Sequence, residues 1–449
     1  MRIDRIEIRN FKRFEKQSLE LHPRFTLLVG DNGAGKTTLL DALAVAAGVW
    51  LVKVPDSTLV NCGRNIMPEE IRLVPEQVGD RVQFLERKPV SVRAEGVIAG
   101  QEVEWTRQVR EAGSRTTNAD AGDALDLVAG VYADDEAGAD VLCPVIGYYG
   151  AGRAWLPSRE RRQKAKVNGP ARRWEAFYDC FDERIRLGDL QTWFQREAIE
   201  YANRRGSWRP GYEVVKRAVL RCIPGSSDLW FDGDRSEVVV LIDGTGVPFS
   251  LLSAGQKMMV ALIADIAVKA VTQNAWLLPS EKLGPEDESW PRVLRNTPGL
   301  VLLDEVDVHL HPKWQRRVVS DLKETFPLMQ FVSTSHSPFI IQSLEPGELR
   351  TIGETGPQLV EYANRSIDDI AEEIQNVEVP QMSEKARVLA DATERYFKLL
   401  QRGHGVSGAN LNDAEIEYRQ AAERYSANPG LSAVLKLEAM AKQKEQQGQ

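Results

Sequence analysis

A glycine-rich run at residues 30–37 constrains the fold of this chain more than any other feature. It has the sequence GDNGAGKT, follows the apolar residues 25–29 and precedes a helix-like stretch at 38–43. A glycine-rich loop between a strand and a helix brings backbone N–H groups and the helix N-terminus close to phosphate oxygens. This pattern requires that strand–loop–helix context, and both flanks are present. The run therefore predicts a phosphate-binding loop in an α/β fold.

The residue types within the loop indicate a nucleoside triphosphate with a divalent cation. Lys36 is expected to reach the β- and γ-phosphates and to assist catalysis, and the Thr37 hydroxyl is expected to bind Mg²⁺. The alternative, a glycine-rich turn with a stray lysine, does not account for both flanks. We predict ATP and Mg²⁺ as cofactors, with nucleotide contacts from Asn32, Gly33, Ala34, Gly35, Lys36, Thr37 and Thr38.

A second candidate motif, LSAGQ at residues 252–256, stands at the start of a helix-like run that continues to residue 264. A serine in this position, together with the unpaired N–H groups of a helix N-terminus, suits an anion. Ser253, Gly255 and Gln256 are therefore candidates for nucleotide binding. An ordinary N-cap with core residues behind it explains the same sequence.

Two apolar runs that lead into polar residues complete the candidate site. Residues 300–303 are typical of a buried strand and are followed by Asp304 and Glu305. Because functional groups of parallel sheets lie at the carboxyl ends of strands, Asp304 is expected to hold Mg²⁺. Glu305 is expected to polarise the attacking water as the general base. The run 329–333 leads to His336, which we predict to contact the γ-phosphate, although a lone histidine is usually structural.

The order of these motifs resembles that of the ABC-type ATPases, and the strand context matches. The resemblance implies an ABC-type P-loop ATPase head in the α/β class, with a mixed sheet flanked by helices. It also implies a homodimer or higher oligomer with ATP at the subunit interface, where Ser253 and Gly255 would act in trans. The corresponding elements here are Walker A at 30–37, the signature at 252–256, Walker B at 300–305 and the switch histidine His336.

One element departs from this family pattern. Many ABC proteins have a glutamine after a strand between Walker A and the signature. The comparable segment here, VIGYYGAGR at residues 145–153, has no glutamine. Arg153 is a candidate for the residue that senses the nucleotide state in place of this glutamine.

Composition excludes several classes of protein. The 449 residues are 43% hydrophobic and 27% charged, which is ordinary for a globular protein. A net charge of −8 argues against a protein that coats nucleic acid over its whole surface, but not against a local basic groove. The longest apolar stretch, 39–52, contains Asp41 and is too short to span a bilayer. Separated cysteines and the lack of a signal-peptide core at the N-terminus predict a cytoplasmic protein without a membrane domain.

The motifs also predict the domain organisation. The chain opens with IRNFKRF at residues 8–14, which resembles the start of the RecF and SMC group of ABC ATPases. SMC proteins carry a long coiled coil between the two ATPase halves, but sustained heptads are missing here. We expect a first ATPase half at 1–60, a mostly helical insert at 61–229, a second ATPase half at 230–365 and a helical tail at 366–449.

Local patterns predict elements within the insert and the tail. Alternating residues at 90–97 and 102–109 indicate a β-hairpin. The acidic, glycine- and alanine-rich stretch 118–140 is typical of a loop or mobile cover. In the tail, an apolar helical face is expected either to pack on the chain itself or to contact a partner or another copy. The tail helices are expected at 383–400, 412–425 and 431–443.

A basic segment is a candidate for contact with DNA or RNA. From Arg159 to Arg173 the chain has seven basic residues against the single acid Glu160, and a second basic cluster spans 204–221. Such a patch binds phosphate backbones independently of base sequence, and nearby tryptophans such as Trp208 can stack on bases. The alternative is a solvated basic face with tryptophans in the core.

The closest family resemblance lies in the residues around Walker B and His336. LDEVDVHLHPKWQ at 303–315, STSHSPFI at 333–340 and YYGAGR at 148–153 resemble RecF/SMC-like ATPases of prokaryotic anti-phage systems, in particular the Septu ATPase subunit and related retron and OLD-like ATPases. The resemblance implies a regulatory ATPase that controls a separate HNH-type nuclease through nucleotide-dependent dimerisation. Two alternatives stay open, namely a RecF-type DNA-repair ATPase that acts directly on DNA and a scaffold that binds ATP without hydrolysing it. His309 and His311 are candidate metal ligands. A surface turn before a helix that starts near Pro312 is a better explanation of their spacing.

Overall fold

The structure is a computed structural model of the chain. It describes residues 1–55, 63–152, 173–284, 290–353, 356–359, 365–375, 377, 380–381, 383–401 and 408–424. Residues 1–365 form one compact unit and residues 366–449 belong to a second.

Strands and helices alternate toward the end of the first unit, as is typical of an α/β fold, whereas strands occur in runs in the part before it. The strands are β1 Arg2–Phe11, β2 Phe14–Glu20, β3 Phe25–Val29, β4 Leu73–Val78, β5 Arg81–Glu86, β6 Val90–Ile98, β7 Gln101–Val109, β8 Val145–Tyr149, β9 Ser226–Asp232, β10 Glu237–Ile242, β11 Thr245–Pro248, β12 Gly299–Leu303, β13 Met329–Thr334, β14 Leu349–Gly353 and β15 Gly356–Leu359. The helices are α1 Lys36–Ala47, α2 Gly122–Glu136, α3 Leu187–Asn203, α4 Pro210–Cys222, α5 Ala254–Gln273, α6 Arg292–Asn296, α7 Pro312–Thr325, α8 Pro338–Gln342, α9 Ile367–Glu373, α10 Glu384–Gln401 and α11 Gly408–Arg424.

The central sheet has the strand order β15-β14-β3-β13-β12-β8. The four pairings from β14 to β8 are parallel, and β15 is antiparallel to β14. Strands β3, β8, β12 and β13 are buried along their whole length, which is typical of a parallel sheet covered on both faces. The carboxyl ends of these strands therefore share one edge. The expected mixed sheet flanked by helices is confirmed.

A second sheet has the order β2-β1-β6-β7 and is antiparallel. The predicted β-hairpin is confirmed as β6 and β7, joined by a two-residue turn in which Ala99 and Gly100 have φ of 50° and 81°. Positive φ at both central residues matches the right-handed twist of the paired strands. Because β6 pairs with β1 along its length, this hairpin extends a sheet that begins at the N-terminus.

Helix α1 contacts strands of both sheets. Eleven of its twelve residues are buried, and its sequence is apolar on nearly every face. A helix that is apolar all round packs in the interior of a protein. The helix that begins at the phosphate-binding loop is therefore fixed between two layers.

The prediction of a loop or mobile cover at residues 118–140 is wrong, because α2 occupies most of this stretch. Its buried side chains recur at helical spacing and join the main core: Ala124, Leu125, Val128, Val131 and Tyr132. Acidic and glycine residues dominate the composition, but they lie between these apolar positions. The segment expected to be mostly helical, 61–229, contributes α2, α3 and α4 and also β4 to β8.

The second unit contains the predicted helical tail in its described part. Helices α10 and α11 contact each other, and Tyr396 stacks on Tyr418 with ring centroids 5.6 Å apart. These helices correspond to the predictions at 383–400 and 412–425. The helix predicted at 431–443 lies outside the described residues. Among the helices that the structure describes, none combines the length and apolarity needed to cross a membrane.

Candidate nucleotide-binding and catalytic site

The loop between β3 and α1 has the backbone shape that its glycines allow. Gly33 and Gly35 have φ of 77° and 104°, in the left-handed region that residues with a Cβ rarely adopt. A Cβ on Gly35 would lie 2.4 Å from Cζ of Phe14, so the aromatic ring also requires glycine there. The first N–H groups of α1 have no partners within the helix and are available to an anion.

Lys36 extends back across this loop. Its Nζ donates hydrogen bonds to the carbonyl oxygens of Gly30 at 2.7 Å and Asp31 at 3.1 Å. Burial lowers the pKa of Lys36, and the carboxylates of Asp304 and Glu305 oppose that effect. The ammonium group therefore lies in the field of both Walker B carboxylates while it closes the loop on itself.

Thr37 and Asp304 meet at the edge where the strands end. The Thr37 hydroxyl donates to Oδ2 of Asp304 at 3.0 Å, and the Thr334 hydroxyl donates to Oδ1 at 2.6 Å. Hydroxyl and carboxylate oxygens are the ligands that Mg²⁺ prefers, usually one or two from protein together with phosphate oxygens and waters. The donor set of Thr37 and Asp304 therefore fits Mg²⁺ on a bound nucleotide.

Glu305 follows Asp304 in a left-handed backbone conformation, with φ of 50°. Its N–H donates to Oγ1 of Thr334 at 2.7 Å, so the residue that orients Asp304 also holds Glu305 in place. A non-glycine residue at positive φ needs such support, and residues of this kind cluster at functional sites. Glu305 remains half-buried at the sheet edge.

His336 lies two residues beyond the end of β13, the strand next to β12 in the sheet. Its side chain is exposed, whereas Ser335 and Ser337 on either side are buried. Ser337 caps α8 by accepting hydrogen bonds from the N–H groups of Phe339 and Ile340. The structure thus brings His336 to the same sheet edge as Asp304 and Glu305.

The signature residues make their contacts within their own helix start and with the loop after Walker B. Ser253 and Gln256 form a reciprocal capping box at the N-terminus of α5, with distances of 2.9 and 3.3 Å. A Cβ on Gly255 would lie 2.5 Å from the carbonyl oxygen of His309, so this glycine allows close packing on that loop. In the described part of the chain these contacts do not join the signature residues to the phosphate-binding loop.

The strand β8 ends beside Walker B and carries two tyrosines with buried hydroxyl bonds. Tyr148 donates to Oδ1 of Asp41 in α1 at 3.2 Å. Tyr149 donates to Oδ2 of Asp265 in α5 at 2.6 Å, and Lys269 also donates to that carboxylate at 2.6 Å. Sequence reasoning missed this link between β8 and the signature helix. Aromatic residues at the end of a buried strand were the available signal, but their partners are distant in sequence.

Arg153 and most of the basic segment 159–173 lie outside the described residues. Arg173, the described residue of that segment, donates to Asp135 and to the carbonyl oxygens of Val141 and Gln273. It therefore joins elements of the chain itself and is an unsuitable contact for nucleic acid.

The second basic cluster does not form the expected stacking surface. Trp208 lies between the rings of Tyr201 and Tyr212, with centroids 4.2 and 3.8 Å away, so both of its faces are covered by the chain's own rings. Arg209 pairs with Glu200, and other cations of the cluster pair similarly: Lys216 with Asp228 and Arg221 with Glu324. These ion pairs and the stacking of Trp208 favour the alternative, a solvated basic face with packed tryptophans.

His311 has a structural role in the turn before α7. His311 is the N-cap of α7, and its Nδ1 accepts a hydrogen bond from the N–H of Lys313 at 3.3 Å. Pro312 occupies the first helical position, where its missing N–H costs nothing. The helix predicted to start near Pro312 is confirmed.

Two family models match the chain in separate segments. Residues 5–187 match an AAA domain, and residues 235–342 match an AAA domain described as a putative AbiEii toxin of a type IV toxin–antitoxin system. The first match contains Walker A, and the second contains the signature, Walker B and His336.

Curated relatives give more specific likenesses. The chain is 22% identical to the retron Vc95 probable ATPase of Vibrio cholerae over 409 residues, which are 79% of this chain and 74% of that protein. It is 24% identical to the Septu protein PtuA of Bacillus mycoides over 360 residues, 78% of this chain and 40% of the relative. The DNA replication and repair protein RecF of Azobacteroides pseudotrichonymphae is 42% identical over 66 residues, 14% of this chain and 18% of that one.

The structure was also compared with solved ones. The SMC head domain of Thermotoga maritima aligns with 81% of this chain and 100% of its own, at a TM-score of 0.42 and 15% identity. Taken together, the ordered motifs and their arrangement around one sheet edge are those of a P-loop ATPase, and the chain is similar over most of its length to a probable ATPase of a retron and to a Septu protein.

Proposed function

We propose that the chain is the ATP-binding and ATP-hydrolysing regulatory subunit of an anti-phage defence complex. It would control a partner nuclease through nucleotide-dependent dimerisation. The observation that carries the ATPase part is the hydrogen bond between Thr37 and Asp304, which joins Walker A to Walker B. The defence part rests on the likeness to the retron and Septu proteins.

The proposed hydrolysis assigns a separate task to each side chain. Lys36 exchanges its bonds to the loop carbonyls for phosphate oxygens and balances their charge. Thr37 and Asp304 hold Mg²⁺, which neutralises charge on the phosphates when it is bound. Glu305 accepts the proton of the attacking water, and His336 contacts the terminal phosphate. Glutamine at position 305 would keep the shape of the side chain but remove its basicity.

The signature supports a site that is completed by a second copy. Ser253 is exposed at the N-terminus of a twenty-residue helix, where the helix dipole favours an anion. Its own capping bonds account for the local structure, and the terminal N–H groups can still face a phosphate from another subunit. We propose that Ser253 and Gly255 contact ATP held by the partner copy, with Gln256 holding the cap.

The dimer proposal is tested with Glu305→Gln in the presence of ATP and Mg²⁺. Light scattering after gel filtration is expected to show a larger assembly with ATP than with ADP, because unhydrolysed nucleotide keeps the interface closed. The double variant Glu305→Gln and Ser253→Arg places a bulky cation in the interface. We expect it to bind ATP but not to form the larger assembly. An assembly state that does not change with nucleotide in Glu305→Gln would contradict the mechanism.

The partner is tested by purification of the tagged chain from its native locus. An HNH-type nuclease recovered in a fixed ratio, with DNA cleavage that changes with ATP, is the expected result. The RecF likeness supports a second candidate function, a DNA-repair ATPase that acts directly on DNA. ATP turnover that rises on addition of DNA alone, without a co-purified nuclease, would favour that candidate.

A further inference from the structure

Residues 180–183 run alongside the end of β8. The N–H of Tyr148 donates to the carbonyl oxygen of Cys180 at 2.8 Å, and the N–H of Gly150 donates to that of Glu183 at 2.8 Å. These two bonds hold the backbone of this segment against β8. The position of Glu183 is therefore set by the strand next to Walker B.

The side chain of Glu183 lies directly over Gly150. A Cβ on Gly150 would be 2.7 Å from Oε2 and 2.8 Å from Cβ of Glu183. Gly150 has an ordinary φ, so its backbone shape does not require glycine. The limited space above Gly150 requires glycine, because any larger residue would displace the carboxylate of Glu183.

Gly150 is also next to the Walker B carboxylate. The N–H of Asp304 donates to the carbonyl oxygen of Tyr149 at 2.8 Å, which continues the parallel pairing of β8 and β12 by one residue. Gly150 and Asp304 thus follow neighbouring strands at the same edge. The carboxylate of Glu183 is brought to this edge from a segment more than a hundred residues before Asp304 in the sequence.

Negative charges converge at this place. Partial burial raises the pKa of Glu183, and the carboxylates of Asp41 and Asp304 raise it further. Lys12 opposes this effect, but its Nζ already pairs with Asp41 at 2.5 Å and Glu70 at 3.5 Å. Glu183 itself remains exposed to solvent. An arrangement of carboxylates that destabilise one another is relieved by a divalent cation.

We propose that Glu183 is an additional carboxylate of the nucleotide-bound Mg²⁺ site and strengthens binding of the cation beside Thr37 and Asp304. It lies next to the strand after which many ABC proteins place a glutamine, and it reaches that edge from a different part of the chain. This inference rests on the proposed binding of ATP with Mg²⁺. It adds to that proposal a residue that no motif includes.

The test measures nucleotide affinity rather than turnover. A fluorescent, non-hydrolysable ATP analogue is titrated into the full chain, once with Mg²⁺ and once with EDTA. The ratio of the two dissociation constants gives the contribution of the cation. Glu183→Gln is expected to reduce this ratio by about tenfold, as is typical for loss of a supporting group around a metal. Its affinity in EDTA should equal that of the wild type or exceed it, because a repulsive charge has been removed.

Two further variants separate this role from a change in local structure. Gly150→Ala keeps the carboxylate but displaces it, and we expect it to reduce the ratio in the same direction. Asp182→Asn is the matched control, since Asp182 stands next to Glu183 but bonds to the N–H and Nε of Arg184. It should leave the ratio near the wild-type value.

The outcomes distinguish this inference from the proposed function. If Glu183→Gln has the wild-type ratio, and if the variant and the wild type both bind the ATP analogue tightly, the role of Glu183 is overturned. The ATPase assignment would then still stand. Equal reduction in Asp182→Asn also overturns it, since general charge loss would then suffice. A wild-type chain that shows no gain from Mg²⁺ at all contradicts the proposed ATPase site itself.

Discussion

The hydroxyl of Thr37 lies 3.0 Å from Oδ2 of Asp304, although the two residues are 267 positions apart in the chain. Thr37 lies in the first turn of the helix after the phosphate-binding loop, and Asp304 follows a buried strand of the central sheet. Since β13 lies between β3 and β12, the two residues approach each other across a neighbouring strand. This contact makes one site from two motifs.

Replacement of Lys36 by alanine tests phosphate binding. We expect ATP affinity to fall by at least about a hundredfold, because a desolvated ammonium bonded to phosphate is lost. Isothermal titration calorimetry with ATP and Mg²⁺ measures the change. Lys313→Ala, at an exposed position of α7, is the control and should bind ATP like the wild type. Normal affinity in the Lys36 variant would rule out the phosphate-binding assignment.

The substitution Glu305→Gln tests whether Glu305 is the general base of ATP hydrolysis. Turnover is expected to fall by roughly 10²- to 10⁴-fold, since loss of a general base has this effect, while ATP binding persists. Steady-state phosphate release and nucleotide affinity are measured on the same preparation. If the wild type shows no turnover above that of the variant, the chain acts as an ATP-binding scaffold and the catalytic assignment fails.

Arg107→Met tests a buried cation beneath the P-loop helix. The guanidinium of Arg107 is almost completely buried and donates to the carbonyls of Val45 and Arg64 and to the side chains of Asn65 and Asn118. Methionine would leave these acceptors unpaired, so we expect the free energy of unfolding to fall by about 3 kcal/mol. Urea denaturation followed by circular dichroism measures this loss.

Arg93 provides the matched control for that experiment. It lies on the neighbouring strand β6 and pairs with Glu104 across the hairpin, with both side chains close to half exposed. An exposed pair of this kind contributes little, so Arg93→Met should reduce the free energy of unfolding much less than Arg107→Met does. Equal losses in the two variants would contradict the role given to burial.

The buried thiols should be unreactive in the folded protein. Burial raises the pKa of both Cys143 and Cys222 to about 12, so at pH 8 each thiol is protonated and only a minute fraction is thiolate. Cys180 is buried as well. We expect Cys143, Cys180 and Cys222 to react with Ellman's reagent only after unfolding in guanidinium chloride. Rapid labelling of Cys143 or Cys222 in the native protein, identified by mass spectrometry, would contradict this prediction.

The local sequence was sufficient for elements whose pattern is short and self-contained. The hairpin of β6 and β7, the start of α7 at Pro312 and the buried strand before Asp304 all follow from neighbouring residues. It was misleading at α2, where frequent acidic and glycine residues conceal apolar positions at helical spacing. Composition averages over a segment, whereas a helix needs apolar residues on one face only.

Spacing along the chain is enough to predict the phosphate-binding loop, the Walker B strand and the order of the ATPase motifs. Which side chains meet depends on the tertiary structure. Pairing of β8 with β12 places Gly150, over which the side chain of Glu183 lies, beside Asp304. Stacking of Trp208 between two tyrosines removes it as a platform for bases. The reason is physical: motifs depend on spacing along the chain, while charge and packing depend on distance in space.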